Sequence, residues 1–148
     1  MAITTKKGDL GKTSTKSFQL SKDDITIELL GTIDETIANI VVVYNLIKIE
    51  ELRFIVDDLS LFASIIAGYK QAFDKNLIIK LDTKIASYQK TFNFSYPYDN
   101  YNNSIINVTR TVARKLERTY WKYCRDHQPN QDIAAYLNRL SDYLYTFL

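Results

Sequence analysis

Three arginines with a four-residue spacing are the first candidates for chemistry. Arg110, Arg114 and Arg118 lie in a stretch with helical periodicity, and Glu117 follows Arg114 by three residues. A helix turns by about 100° per residue, so these side chains share one face. Neighbouring guanidinium groups repel one another unless anions neutralise them. Taken alone, the spacing favours salt bridges to a neighbouring helix; the alternative is a polyphosphate clamp, because the arginine fork matches phosphate oxygens.

The beginning of the chain offers a second candidate phosphate site. Residues 5–14 read Thr-Lys-Lys-Gly-Asp-Leu-Gly-Lys-Thr-Ser, and residues 1–22 contain five lysines but only one acid, Asp9. Glycines allow the backbone to approach a phosphate, hydroxyls donate to its oxygens and lysines supply charge. The spacing is not that of a Walker A loop. Charge alone favours the simpler interpretation of a solvated basic tail.

The overall composition limits the possible functions. The 148 residues fit one domain, and the net charge of +2 is too small to indicate nucleic-acid binding. Cys124 is the only cysteine and His127 the only histidine, so we expect no disulfide and no metal site of the cysteine or zinc type. The absence of a long apolar run and the lysine-rich start predict a cytoplasmic protein without a signal peptide or membrane contact.

The pattern of apolar residues predicts an all-α fold. Four glycines and two prolines favour long helices over turn-rich β structure. We expect an extended loop over residues 1–22, then helices at about 33–48, 50–74 and 75–90, a fourth with Asn103 or Ser104 as its N-cap, and a last one with Pro129 in its first turn. Residues 77–79 would also fit a short strand. Short connections imply antiparallel neighbours, hence a bundle of four or five helices within one domain, 1–148.

Five blocks of sequence resemble the ATP:cob(I)alamin adenosyltransferase family. Residues 5–14 resemble its T-K-T-G-D-x-G-x-T-S signature, residues 21–24 its S-K-D-D and residues 31–35 its G-T-x-D-E. Residues 110–118 are similar to R-T-V-C-R-R-A-E-R, and residues 136–142 to Y-L-N-R-L-S-D. The blocks occur in the family's order and span nearly the whole chain. The sequence is therefore identified as a divergent member of the trimeric, propanediol-utilisation type.

The resemblance implies a five-helix up-down bundle with an extended N-terminal nucleotide-binding loop at residues 1–22 and helices from about residue 31. It also implies a homotrimer that binds ATP, Mg²⁺ and cobalamin at subunit interfaces, and a cob(II)alamin reductase as a possible partner. The implied reaction moves the 5′-deoxyadenosyl group of ATP to cob(I)alamin, giving adenosylcobalamin and triphosphate. By matching position, the implied ATP-binding residues are Thr5, Lys6, Lys7, Gly8, Thr13, Ser14, Lys22, Arg114, Lys115, Glu117, Arg118 and Asn138. Arg114 would be catalytic, Phe94 would line the corrinoid pocket, and Asp34 and Arg110 would form an intersubunit ion pair.

Some positions depart from the family's pattern. The P-G-G that follows the aromatic position reads Pro97-Tyr98-Asp99, and the second arginine of the R-R pair is Lys115. Lysine keeps the charge but lacks the bidentate fork of arginine. Two other hypotheses stay open: a non-catalytic relative that binds ATP or carries a corrinoid, and a helical module whose basic loop binds nucleic acid. The second needs aromatic residues among the lysines, and residues 1–22 offer only Phe18.

Overall fold

The computed structural model describes residues 3–69, 72–88, 91–93 and 95–148. Within these ranges the chain forms five helices and one two-stranded hairpin. The strands are β1 (Lys12–Ser14) and β2 (Gln19–Ser21); the helices are α1 (Ile25–Ile47), α2 (Leu52–Ile66), α3 (Asn76–Ser87), α4 (Tyr101–Tyr123) and α5 (Gln131–Tyr145). The predicted all-α bundle is confirmed. None of the described helices is both long and apolar enough to cross a bilayer.

A β-hairpin occupies part of the segment that was predicted to be an extended loop. Its strands are antiparallel, with Thr13 opposite Leu20. At the turn, the backbone N–H of Thr15 donates to the carbonyl of Phe18 at 2.8 Å, and the Thr15 hydroxyl accepts from the Phe18 N–H at 3.2 Å. The loop prediction was wrong for these strands because three residues are too few for an alternating pattern to be recognised.

Helix α1 begins at Ile25, earlier than the predicted start near Ile33. The side chain of Asp24 caps the helix by accepting a hydrogen bond from the Thr26 N–H at 2.8 Å. Gly31 lies inside the helix, at an exposed position where a β-carbon would meet nothing within 4 Å. A single glycine costs a helix only about 1 kcal/mol, so α1 continues through Gly31 to its Asp24 cap.

Helix α2 ends at Ile66, well before the predicted end at Asp74. Gly68 has a φ of +85°, a left-handed conformation that glycine adopts at little cost and that stops the helix. The next segment, Asn76–Ser87, forms helix α3, as predicted for about 75–90. The alternative of a short strand at residues 77–79 was wrong.

The caps of α4 and α5 also differ from the predictions by a few residues. Asn100, rather than Asn103 or Ser104, caps α4, and its side chain accepts from the Asn103 N–H at 3.0 Å. Asn130 caps α5, so Pro129 precedes the helix instead of standing in its first turn. Because the Asx caps of both helices lie next to other polar residues, pattern alone could not locate their first residues.

The helices pack in the order α2–α1–α4–α5–α3, so α4 and α5 are direct neighbours. The core consists of side chains with essentially no exposure, among them Leu29, Ile33, Ile40, Leu59, Phe62, Leu116, Leu137 and Leu140. Each such side chain contributes about 1.5–3 kcal/mol by leaving water. This packing fixes α4, which carries the arginine row, beside α5, which carries the block of residues 136–142.

One carboxylate lies inside the bundle. Asp58 of α2 is 6% exposed, and the hydroxyl of Tyr136 of α5 donates to it at 2.8 Å. Burial raises the pKa of Asp58, while the hydrogen bond from Tyr136 opposes that increase. A second buried tyrosine differs: the Tyr143 hydroxyl has no hydrogen-bond partner among the described residues.

We expect Tyr136→Phe to lower the free energy of unfolding at pH 7 by about 1–3 kcal/mol, because a buried carboxylate loses its donor. Tyr143→Phe is the matched control, since it removes a buried hydroxyl without a partner, and we expect it to be neutral or slightly stabilising. Urea unfolding measures both. Equal losses in the two variants would contradict this account of the Asp58–Tyr136 bond.

The same pair predicts a dependence of stability on pH. Because burial raises the pKa of Asp58, the folded protein binds this proton more tightly than the unfolded chain does. The contribution of Asp58 to stability therefore decreases as pH rises from its unfolded to its folded pKa. Tyr136→Phe removes the bond that lowers this pKa, so its stability should decline more over the same rise. Unfolding curves between pH 4 and 7 measure the two slopes, and parallel slopes would contradict the prediction.

Candidate functional site

A cavity of about 440 Å³ lies between α4 and α5 and reaches the end of α3. We call it the arginine groove, because all three arginines of the four-residue row line it. Its lining residues are Ile85, Phe92, Arg110, Thr111, Arg114, Arg118, Ser141, Asp142, Tyr145 and Thr146. The predicted shared face of α4 is confirmed, and the neighbouring helix closes it into a groove.

The three arginines of the groove do not form the salt bridges that their spacing alone favoured. Among the described residues, the ion pairs within 4 Å are Arg53–Glu50, Lys115–Glu35 and Arg139–Asp82. Arg110 instead donates from Nε to the Asn107 side-chain oxygen at 3.0 Å. Three positively charged side chains thus line the groove, and none of them has a carboxylate partner within 4 Å among the described residues. This arrangement favours binding of an anion.

Asp142 is the acidic residue among those that line the groove. Burial raises the pKa of its carboxyl, and the positive charges of Arg139 and Arg114 partly offset this effect. These influences place Asp142 within the electrostatic range of Arg114 but outside ion-pairing distance. One carboxylate does not neutralise three guanidinium groups, so the groove has a net positive charge.

A chain of hydrogen bonds connects α4, α5 and α3 near the groove. Asn138 donates to Glu117 at 3.1 Å, and Arg139 donates to the Asn138 side-chain oxygen at 2.8 Å and to Asp82 at 3.0 Å. The structure thus brings together Glu117 and Asn138, which are far apart in sequence and were both predicted to bind ATP. It adds Arg139 and Asp82, which were not predicted because only the packing of α3 on α5 places them together.

Lys115 lies apart from the arginine groove. Its ammonium group contacts the carboxylate of Glu35 on α1 at 2.6 Å. Because Lys115 follows Arg114 by one residue, its side chain leaves α4 about 100° around the helix. The structure therefore places Lys115 between α4 and α1, and its predicted part in ATP binding stays a prediction.

The predicted N-terminal phosphate residues form a second cluster. Within residues 5–22, which we call the basic segment, the Gly11 N–H donates to the Gly8 carbonyl at 3.1 Å and the Lys22 N–H to the Gly11 carbonyl at 2.8 Å. A β-carbon on Gly8 would lie 3.0 Å from the Lys22 ammonium nitrogen. Gly8 thus allows Lys22 to fold over the turn. The other predicted residues of the cluster are Thr5, Lys6, Lys7, Thr13 and Ser14, and all but the half-buried Thr13 are exposed.

The basic segment packs on a different part of the bundle from the arginine groove. The Lys16 ammonium lies 5.1 Å from the centre of the Tyr69 ring, after the end of α2. Phe18 and Leu20 line a cavity together with Tyr123, at the end of α4. None of the residues that line the arginine groove belongs to the basic segment. Within one chain, the structure does not bring the two predicted halves of the ATP site together.

The remaining predicted residues are also separated. Asp34 is exposed on α1, and Arg110 lines the groove; the two do not form an ion pair within one chain. This neither supports nor excludes a pair between subunits, which stays a prediction. Phe94, predicted to line the corrinoid pocket, lies outside the described residues.

Comparison with known proteins decides the family. The sequence model described as cobalamin adenosyltransferase matches residues 3–148. The chain belongs to this family. It is 30% identical to the corrinoid adenosyltransferase MMAB of Bos taurus, over 97% of this chain and 68% of that protein. It is 28% identical to a corrinoid adenosyltransferase of Citrobacter freundii, over 97% of this chain and 91% of that protein.

Solved structures of the family share the fold of this chain. A PduO-type ATP:co(I)rrinoid adenosyltransferase from Lactobacillus reuteri, an arginine-to-lysine variant complexed with ATP, aligns with a TM-score of 0.87 at 27% identity, over 99% of this chain and 91% of that chain. A phenylalanine-to-alanine variant of the PduO-type enzyme from the same organism, complexed with cobalamin and ATP, aligns with a TM-score of 0.85 at 27% identity and the same coverage. The predicted family and its helical bundle are confirmed.

Proposed function

We propose that the chain transfers the 5′-deoxyadenosyl group of ATP to the cobalt of cob(I)alamin, with the triphosphate held in the arginine groove. Family membership makes the chain a corrinoid adenosyltransferase. The observation that supports the groove as the phosphate site is its row of three guanidinium groups without close carboxylate partners. A bound anion would offset the repulsion among these guanidinium groups and accept hydrogen bonds from them.

The chemistry requires positioning and charge compensation rather than a protein nucleophile. The cobalt of cob(I)alamin attacks C5′ of ATP; the Co–C bond forms as the C5′–O bond breaks, and the electron pair leaves with triphosphate. The protein must align these three atoms, and must neutralise the charge that develops on the leaving oxygen. Arg114 is central in the row, between Arg110 and Arg118, so we assign this catalytic role to it.

The groove also fits a Mg²⁺ ion that accompanies the triphosphate. Mg²⁺ at nucleotide sites binds mainly phosphate oxygens, together with one or two carboxylates. Asp142 lines the groove, and Glu117 lies beside Asn138 near its edge. The Asp142 carboxylate would contribute a ligand, and the ion would supply further positive charge to the phosphates. Glu117 and Asn138 would bind the nucleoside part of ATP.

We also propose that the active enzyme is a homotrimer in which the basic segment of one subunit completes the groove of the next. This is supported by the separation of the two clusters within one chain, since a head-to-tail ring joins different surfaces of identical subunits. The exposed apolar residues Val41 and Val42 of α1 and Val108 of α4 suit such an interface. Lys22, Gly8 and the hydroxyls of Thr5, Thr13 and Ser14 would then bind the phosphates from the neighbouring subunit.

The corrinoid is proposed to bind beside residues 91–93 and 95–100, which we call the 91–100 loop. A polar cavity of about 480 Å³ adjoins this loop, with Asn93, Asn100 and Asn103 among its lining residues. Amide groups suit the amide-bearing edge of a corrin ring, and Phe94 would supply an apolar contact. The whole chain would act as one cytoplasmic catalytic domain, and a cob(II)alamin reductase would supply the electron.

The direct test incubates the purified protein with ATP, Mg²⁺ and chemically reduced cobalamin and follows the absorbance spectrum of adenosylcobalamin. Formation of this product would support the proposed function. ATP binding without product would favour a non-catalytic relative instead. No measurable affinity for ATP would contradict both hypotheses.

A shared site predicts complementation between two inactive variants. Lys22→Ala and Arg114→Ala each damage a different half of the proposed site. In every mixed trimer, one interface combines the intact basic segment of one variant with the intact groove of the other. Denaturing and refolding an equal mixture should therefore restore about a quarter of the wild-type activity, if the ring is head-to-tail. A mixture as inactive as its components would contradict a site shared between subunits, and each variant refolded alone is the control.

A further inference from the structure

Tyr145, near the end of α5, lies where the arginine groove meets the 91–100 loop. Its side chain lines the groove together with Arg110 and Arg114. It also lines the adjoining cavity of about 480 Å³ beside the loop. Neither the motif on α5 nor the proposed ATP and corrinoid contacts assign a function to this residue. Its location nevertheless links the two proposed substrate sites through one side chain.

The Tyr145 hydroxyl forms two hydrogen bonds to one loop residue. The backbone N–H of Asn93 donates to it at 2.7 Å, and the hydroxyl donates to the Asn93 carbonyl at 2.9 Å. A phenol can act as donor and acceptor at once, so a single oxygen satisfies both backbone groups of Asn93. The Tyr145 ring packs against Phe92, with ring centres 5.0 Å apart. We call this arrangement the tyrosine latch.

A second contact holds the other end of the loop. The hydroxyl of Ser104, in the first turn of α4, donates to the Pro97 carbonyl at 2.9 Å. The loop is thus attached to α5 at Asn93 and to α4 at Pro97. Because α4 and α5 also form the walls of the arginine groove, the same two helices determine the distance between the loop and the bound phosphates.

We propose that Tyr145 is a positioning residue for corrinoid binding: through the tyrosine latch it holds the 91–100 loop at a fixed distance from the arginine groove. This inference rests on the proposed function. Its chemical basis is that displacement of cobalt from C5′ by even one ångström greatly slows an in-line transfer. The hydroxyl of the latch bonds the loop on the corrinoid side of the site, whereas the ring is the part of Tyr145 that Tyr145→Phe would keep in the groove. Loss of the hydroxyl should therefore affect the two substrates unequally.

Tyr145→Phe removes the hydroxyl and keeps the ring that packs on Phe92. Two backbone hydrogen bonds are lost, so we expect KM for cob(I)alamin to rise about tenfold. The Kd for ATP should remain within twofold of the wild-type value, and the midpoint of urea unfolding should change little. Tyr101→Phe is the matched control, since this tyrosine is 73% exposed at the beginning of α4 and should leave all three values unchanged.

Hydrogen exchange provides a readout that does not depend on turnover. The amide of Asn93 should exchange at least about tenfold faster in Tyr145→Phe than in the wild type, because its acceptor is the deleted hydroxyl. A wild-type exchange rate at this amide would overturn the proposal. Equal losses of affinity for ATP and corrinoid would also overturn it, since Tyr145 would then act on the groove as a whole.

The outcomes separate this inference from the proposed function. A wild-type protein that forms no adenosylcobalamin would contradict the proposed function. A wild-type protein that is active, together with a Tyr145→Phe variant whose corrinoid KM and Asn93 exchange are unchanged, would contradict the tyrosine latch alone. Titration of cob(II)alamin in the presence of ATP, followed by its absorbance spectrum, should show the same weakening in Tyr145→Phe as the KM does.

Discussion

Arg114→Ala should lower the rate of adenosylcobalamin formation by roughly 10²–10³-fold, the usual effect of removing one group that stabilises developing charge. Arg114 is the middle arginine of the groove, and no carboxylate lies within 4 Å of its guanidinium in the part of the chain that the structure describes. The variant therefore loses a phosphate contact without leaving a partner carboxylate unpaired. Its folding and its oligomeric state should be those of the wild type.

Two further variants separate the role of Arg114 from a general effect of charge. Arg114→Lys keeps the charge but loses the bidentate fork, so its activity should fall between those of Arg114→Ala and the wild type. Arg125→Ala removes an exposed arginine just beyond α4, outside the groove, and should retain wild-type activity. Single-turnover rates at saturating ATP provide the comparison. A fully active Arg114→Ala variant would contradict its catalytic assignment.

The face shared by the arginines could be predicted from sequence, because it depends only on the geometry of one helix. The partners of that face could not. Spacing alone favoured salt bridges, yet the carboxylate that α5 supplies to the groove, Asp142, forms no ion pair within 4 Å with these arginines in the described part of the chain. Whether an arginine row is neutralised depends on the residues that a neighbouring helix supplies. Which helix becomes that neighbour is decided by how the helices pack, and the local sequence pattern of α4 does not specify it.

Motif resemblance identified residues but not the face on which each one lies. The block of residues 110–118 contains both Arg114 and Lys115, and both were predicted to bind ATP. One residue of helical rotation directs Lys115 to Glu35 on α1, away from the groove. Similarly, the resemblance placed Gly8 and Arg114 in one nucleotide site. Within one folded chain, however, Gly8 lies beside Lys22 and Arg114 lies in the arginine groove.

Contacts between distant segments were beyond the reach of the sequence. Asp82 meets Arg139, and Tyr145 meets Asn93, only because α3 and the 91–100 loop pack beside α5. Each is an ordinary residue in its local pattern, and no local pattern marks such a pair. The early start of α1 was missed for a different reason: the prediction began at Ile33, whereas the helix extends through Gly31 to Ile25 because packing outweighs the low helical propensity of glycine.

A charge-reversal experiment on Asp34 and Arg110 should reveal whether the proposed trimer exists. The two residues lie on adjacent helices, α1 and α4, but form no ion pair within one chain. If they pair between subunits, Asp34→Arg and Arg110→Asp each place like charges at the interface. We expect each single variant to raise the concentration for trimer dissociation by about a hundredfold, which corresponds to roughly 2 kcal/mol at each of the three pairs buried on assembly.

The double variant restores opposite charges with the positions exchanged, so it should recover most of the lost association. Sedimentation velocity over a range of protein concentrations is the appropriate measurement, because Arg110 also lines the arginine groove and activity alone would not separate its two contacts. Arg53→Asp is the control for a surface charge reversal, since Arg53 pairs with Glu50 at an exposed position on α2.

Single variants that associate like the wild type would contradict the intersubunit pair. A double variant that associates no more tightly than the single variants would show that Asp34 and Arg110 act independently. Other contacts between subunits would then have to place the basic segment against the groove.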